Sequence, residues 1–218
     1  MNPAVAPGAR AARRARTETL LLDAAETLFA ARGYDGAGVR DITTLAGLRL
    51  AAVNDAYGGK DGLYRAVLRR RAEPLDADRR ARLAAIDERA GDEALPAVID
   101  AFCLPMVERA ASDVAWRRYF RILTQLAHAP QPIQQVVAAD YNRLAADFVA
   151  RLRQLFPDAP DTAPYNAYLF LVACSLDVCS DDKRLDALTG NRHRSADVAA
   201  RAAALRTFAR AGMAALLD

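Results

Sequence analysis

Between Arg40 and Lys60 the chain gathers side chains that bond to the base edges and phosphates of a nucleic acid. Arg49 carries a guanidinium that can donate two hydrogen bonds to a guanine, and Asn54 an amide suited to an adenine or a phosphate. Asp55 repels phosphate but can accept from a cytosine amino group. Leu50 and Ala51 fall on the same exposed positions. Arg40, Thr43 and Thr44 lie one element earlier, as candidate backbone contacts. Lys60 opens the next element, where its charge and the free N–H groups of a helix start can meet one phosphate together. Each of these residues would be ordinary on a solvated helix face, so the elements that carry them decide the reading.

The stretch VRDITTLAGLRLAAVNDAY, residues 39–57, reads as two short helices broken by Gly47. Val39, Ile42 and Ala46 mark the inner face of the first; Leu48, Ala52, Val53 and Tyr57 mark that of the second. Two helices joined this closely, the second too short to be a core helix alone, fit a helix-turn-helix with its second helix in the major groove. Upstream, Leu21, Ala24, Ala25, Leu28 and Phe29 form one stripe of a helix from Thr17 to Arg32, stopped by Gly33. Gly38 is a weak N-cap for the helix at Val39. Downstream, Gly58 and Gly59 turn the chain into a helix with Leu63, Ala66 and Val67 inside, and Pro74 is expected to end the unit.

The charge is shared unevenly. Up to Ala72 there are twelve Lys/Arg against seven Asp/Glu, whereas the remainder holds 18 against 20. The N-terminal third is therefore the part suited to an anionic partner. Residues 1–15, rich in Ala, Pro, Gly and Arg, are expected to form a disordered basic arm; Arg10, Arg13, Arg14 and Arg16 can reach phosphates or remain solvated. Their lack of an apolar segment argues against a secretory signal, and no apolar run is long enough to span a membrane, so a cytoplasmic protein is expected. Cys103, Cys174 and Cys179 lack metal-ligand spacing and fit reduced thiols. No cofactor or metal is expected, and no nucleophile, phosphate loop or histidine cluster supports an enzyme.

The run TLLLDAAETLFAARGYDGAGVRDITTLAGL, followed by AAVNDAYGGKDGLYRAVL, resembles the N-terminal DNA-binding domain of the TetR (tetracycline-repressor-like) family of bacterial regulators. The resemblance covers about Thr19 to Leu68. It implies an all-α homodimer that binds a double-stranded DNA operator of two-fold symmetry, with a C-terminal helical domain that dimerises and holds a small-molecule effector. The chain departs from the family pattern at Ala37, where a threonine is usual, at Arg49, where a small polar cap is usual, and at Asp55 and Ala56, where a Tyr/His pair is usual. These departures leave a second reading open, a helical ligand-binding or interaction protein with weakened DNA binding.

The domains expected are the arm, a helix-turn-helix domain over residues 16–72 and a helical effector and dimerisation domain over residues 73–218. Punctuation divides the latter into helices over about 76–90, 92–111, 113–129, 133–156, 162–180 and 195–217, with a flexible loop over 181–194. Phe102 and Met106, then Trp116, Tyr119 and Phe120, then Tyr141 and Phe148 fall on three helices that can converge as the aromatic wall of a pocket or as plain core. Asp177, in the apolar segment YNAYLFLVACSLDVC, would need a partner if buried. That segment, with Tyr168 and Val172, and the last, with Leu205, Phe208, Gly212, Met213 and Leu216, can form a four-helix dimer interface with their copies or the core of a monomer.

Overall fold

The structure, a computed structural model, describes residues 7–87, 91–129 and 131–218, and among these every regular element is helical. Four helices come first: α1 (Pro7–Gly36), α2 (Val39–Leu45), α3 (Ala51–Tyr57) and α4 (Lys60–Ala84). A single 3-10 turn over Gly91–Glu93 leads into α5 (Ala94–Ser112), α6 (Val114–Ala127), α7 (Gln131–Leu155), α8 (Ala163–Cys179), α9 (Arg184–Leu188) and α10 (Val198–Leu217). The chain divides into two compact units, Met1–Arg70 and Arg71–Asp218.

Several boundaries differ from the sequence expectation. Residues 7–15, expected as a disordered arm, are helical; Ala and Arg are strong helix formers, and Gly8 and residues 11–15 are exposed. The arm's residues 1–6 lie outside the described residues. Pro74 does not end a helix but sits inside α4. A proline removes one intrahelical bond, and here the turns beyond it are held by burial of Leu75, Asp76, Arg79 and Leu83. The second short helix begins at Ala51, so Leu48, Arg49 and Leu50 belong to the turn before it.

In the first unit, Leu21, Ala25 and Phe29 of α1 are fully buried with Ile42 of α2, Val53 of α3 and Leu63 and Val67 of α4. The helix is interrupted at Gly33, and the chain turns so that Tyr34 packs edge-on against Tyr64 with ring centroids 5.0 Å apart, while Tyr64 meets Phe29 at 4.9 Å. Polar pins fix the short helices: Arg32 donates to Asp41 in the first turn of α2 at 2.9 Å, the Tyr34 hydroxyl donates to Asp61, and the Tyr57 hydroxyl donates to the Glu18 carbonyl at 3.3 Å. Arg70 donates to Asp23 at 2.7 Å and to the buried Glu26. Gly62 marks the tightest approach. A methyl group there would sit 1.9 Å from the Tyr57 carbonyl oxygen, so the end of α3 packs directly on the backbone of α4.

In the second unit α8 is the hub, packed against α5, α6, α7 and α10. Its inner side buries Ala167, Tyr168, Leu171, Ser175 and Cys179. The Ser175 hydroxyl donates to the Leu171 carbonyl at 2.6 Å and lies 3.3 Å from the Cys103 sulfur on α5. The segment 181–194, expected as a flexible loop, contains α9 and is closed by Asp186. The Asp186 carboxylate accepts from the Ser195 backbone N–H at 2.6 Å and from Arg194 at 3.4 Å, while the Ser195 hydroxyl accepts from the Leu185 N–H at 3.2 Å.

Two outcomes follow from this packing. Gly62→Ala should destabilise the first unit by about 1–3 kcal/mol through overpacking against a backbone oxygen that cannot rotate away. Urea unfolding of the variant at wild-type stability would disprove that contact. The Ser195 N–H, with Arg194, holds the Asp186 carboxyl at about 2, below its ordinary 3.8. A lowered folded-state value adds stability above the ordinary one, which fades as the pH falls. The margin of wild type over Asp186→Asn in thermal melts should therefore be constant above about pH 4 and shrink towards pH 2; a constant margin across that window would count against it.

Candidate nucleic-acid interface

The pair α2 and α3 is a helix-turn-helix held from behind. Ile42, Ala52 and Val53 are buried, and the turn between the helices passes through Gly47 at φ +66, a conformation other residues adopt only with strain. Neither helix has a side-chain cap at its start, where Gly38 and Leu50 stand. What the pair turns outward is Arg40, Thr44, Leu45, Arg49, Leu50, Ala51, Asn54 and Asp55, all exposed. The sequence reading missed Leu45, which is 56% exposed at the end of α2; the inner-face pattern left it unassigned, and that was its only signal. Thr43 needs correction. It is buried, and its hydroxyl donates to the carbonyls of Val39 and Arg40, so it is not available to a phosphate. Thr44 also bonds back to the Arg40 carbonyl, at 2.8 Å, but remains at the surface.

The N-terminal turns of α1 and the α2–α3 turn enclose a groove of about 710 Å³. Arg13, Arg14, Thr17 and Glu18 line one wall; Leu48, Arg49, Ala52, Asp55 and Ala56 line the other. Each wall holds an ion pair: Arg14 with Glu18 at 2.7 Å, and Arg49 with Asp55 at 2.5 Å. At the start of α4 the Lys60 ammonium lies 4.3 Å from the centre of the Tyr34 ring, a cation–π contact on a ring fixed by its bond to Asp61. Burial, then Asp61, pushes the Tyr34 phenol up, which keeps it a proton donor to that carboxylate.

Residues 21–67 match the family described as "Bacterial regulatory proteins, tetR family", and residues 100–212 match that described as "Tetracyclin repressor-like, C-terminal domain". The chain belongs to the TetR family. It is a DNA-binding transcriptional regulator, and the family is regulatory rather than enzymatic. No curated protein matches it in sequence. Among solved structures it is similar in fold to GusR of Salmonella enterica (TM-score 0.60, 20% identity, 92% of this chain and 95% of that one). PfmR of Thermus thermophilus gives a TM-score of 0.57 at 19% identity over 90% and 96% of the two chains. The fatty acid degradation regulator FadR of Bacillus halodurans gives 0.57 at 14% identity over 97% and 96%.

In this TetR regulator six aromatic residues of the C-terminal unit form two packed clusters. Phe102, Phe148 and Tyr168 meet with centroids 5.3 to 6.0 Å apart, and Trp116, Tyr119 and Phe120 with centroids 5.4 to 6.0 Å apart. Met106 is buried among the core residues, and Tyr141 reaches the Tyr119 hydroxyl at 3.4 Å. Sequence reasoning missed a buried polar pair beside them: Arg79 lies 3.9 Å over the Phe102 ring, donates to the Phe102 carbonyl at 3.2 Å and faces Asp76 at 3.4 Å. Burial pushes the Asp76 carboxyl up, and Arg79 opposes that. Asp177 is not embedded; it is exposed and pairs with Arg201 of α10 at 2.6 Å.

The residues expected to form a dimer face separate into two sets. Tyr168, Leu205 and Met213 are buried within the unit, where α8 and α10 pack on each other and on α5, and Met213 also borders the outer groove between α8 and α10. Val172 and Leu216 are half-buried, and Phe208 and Gly212 are exposed. Outside, the same two helices enclose an apolar groove of about 470 Å³ lined by Phe170, Ala173, Cys174, Phe208, Gly212 and Leu216, with Phe170 57% and Phe208 67% exposed. Phe170 and Cys174 were missed because an all-round apolar helix does not reveal from sequence which side its neighbours cover.

Proposed function

We propose that this regulator is a repressor that binds a palindromic operator as a homodimer and releases it when a small molecule occupies the C-terminal unit. The outward stripe of Arg40, Thr44, Arg49, Leu50, Ala51, Asn54 and Asp55 on an otherwise buried helix-turn-helix carries this reading. Arg49 and Asn54 read base edges, Leu50 meets a thymine methyl, and Arg40, Thr44 and Lys60 position the domain on phosphates. The helical extension of α1 brings Arg13 to the same groove with no carboxylate paired to it among the described residues.

Homodimerisation through α8 and α10 is supported by their exposed apolar groove, since covering side chains such as Phe170 and Phe208 contributes about 2 kcal/mol each. The effector is best accommodated between α7 and α8. A groove of about 450 Å³ there is walled by Val149, Tyr165 and Tyr168 and offers Asn142 and Arg153 as polar partners. An effector that fits one dimer geometry better shifts the two recognition helices away from the spacing of about 34 Å, one DNA turn, and so frees the operator. The second reading, a ligand-binding protein with weakened DNA affinity, has its best support in Asp55, beside the other departures at Ala37, Arg49 and Ala56.

Selection from a random duplex library should enrich a palindrome whose binding weakens steeply with salt. Arg49→Ala should lose discrimination between that operator and random DNA, whereas Lys60→Ala should weaken both alike and reduce the salt slope by about one. Equal losses on both DNAs for Arg49→Ala would sink its assignment to base reading. For the dimer, Phe208→Glu should convert the protein to a monomer in sedimentation velocity while leaving its helix content unchanged. A variant that sediments as wild type would place the interface elsewhere.

A further inference from the structure

We infer that Asp55 is a positioning residue for base recognition: its carboxylate holds the Arg49 guanidinium in place for a guanine. The inference rests on the operator-binding reading above. Arg49 stands in the turn before α3 and Asp55 in the last turns of that helix, and their ion pair, Nη2 to Oδ2 at 2.5 Å, spans the outward face of the reading element. Both side chains are open to an incoming duplex, at 75% and 56% exposure.

Among the described residues the polar partner of Asp55 is Arg49. The carboxylate lies near the C-terminal end of a seven-residue helix, where a negative charge opposes the helix dipole. Asp55 provides no side-chain cap to α2 or α3, and its charge repels any phosphate that approaches. The guanidinium has five N–H donors in a rigid plane, so engaging Nη2 leaves others free and fixes the direction in which they point. An exposed arginine otherwise gives up its rotamer freedom on binding; one already held by a carboxylate loses less. In water such a pair contributes little by itself. Under a duplex the surrounding water is displaced, and the attraction grows as the local dielectric falls. Asp55 then serves a second purpose, because a carboxylate beside the arginine makes phosphate a poor substitute for the base edge, which directs Arg49 towards guanine.

The test uses the full-length protein and the operator it selects. The base pair read by Arg49 is first identified as the one whose preference disappears in Arg49→Ala. Wild type, Asp55→Ala, Arg49→Ala and the double variant are then titrated against the operator, the operator changed at that base pair, and random DNA. Asp55→Ala should lose about tenfold of the discrimination at that base pair. Its affinity for random DNA should stay the same or rise, since a negative charge has been removed, and its melting temperature should not change. In the Arg49→Ala background, Asp55→Ala should cost no further discrimination. Unchanged discrimination in Asp55→Ala, or losses that add in the double variant, would overturn the inference. So would tighter operator binding with discrimination kept, which would make Asp55 a brake on the arginine. Wild-type protein that enriches no palindrome overturns the operator reading itself, and that result is seen before any variant is compared.

Discussion

A helix of seven residues has too few internal hydrogen bonds to persist in water, and the helix-turn-helix of this regulator is built on two of them. Neither has a side-chain cap. Their order is borrowed from burial against α1 and the start of α4, and from the pins at Arg32–Asp41, Tyr34–Asp61 and Tyr57–Glu18. The approach at Gly62 shows how little room this leaves, because the end of α3 rests on bare backbone. A helix positioned in this way can carry almost any side chain outward, since its outward residues contribute little to holding it.

That freedom explains how the helix-turn-helix tolerates Asp55 where the family pattern has an aromatic residue. Ion pairs recur across the N-terminal unit, and each has a structural or directional consequence: Arg70 neutralises the buried Glu26 next to the core, whereas Arg14–Glu18 and Arg49–Asp55 lie on opposite walls of an open groove. The net positive charge of this third of the chain is therefore less available than the count of arginines suggests. Arg13, Arg40 and Lys60 have no such carboxylate partner among the described residues, although Lys60 lies against the Tyr34 ring.

Fold class, the helix-turn-helix and most of its outward face were legible because they rest on local rules: period-3.6 stripes at Leu21, Ala25 and Phe29, and a glycine at the turn. The errors fall where local rules compete with tertiary ones. Pro74 reads as a stop, yet burial of Leu75 and Arg79 carries α4 through it. The segment 181–194 reads as a solvated loop, yet one carboxylate at Asp186 gathers two donors and orders it. Thr43 reads as polar surface, yet its hydroxyl is satisfied by its own helix and its methyl is free to be buried. The partner of Arg49 was beyond the sequence altogether, since a turn had to fold back over α3 before residues 49 and 55 could meet.

The C-terminal unit shows the opposite balance between core and surface. Phe102, Tyr119, Phe120 and Phe148 are almost wholly buried, while Leu169, Phe170 and Phe208 remain exposed on α8 and α10. The same helices that cross at the unit's centre thus present a second apolar side, and α8 is apolar in mean character because it has an interior on one side and a prospective interface on the other. Gly212 lies on that outer side with open space before it, so a second helix could approach α10 closely there without meeting a side chain. Residues of α8 line both the groove beside α7 and the apolar groove beside α10. Because a packed helix moves as a body, the two grooves cannot change shape independently of each other.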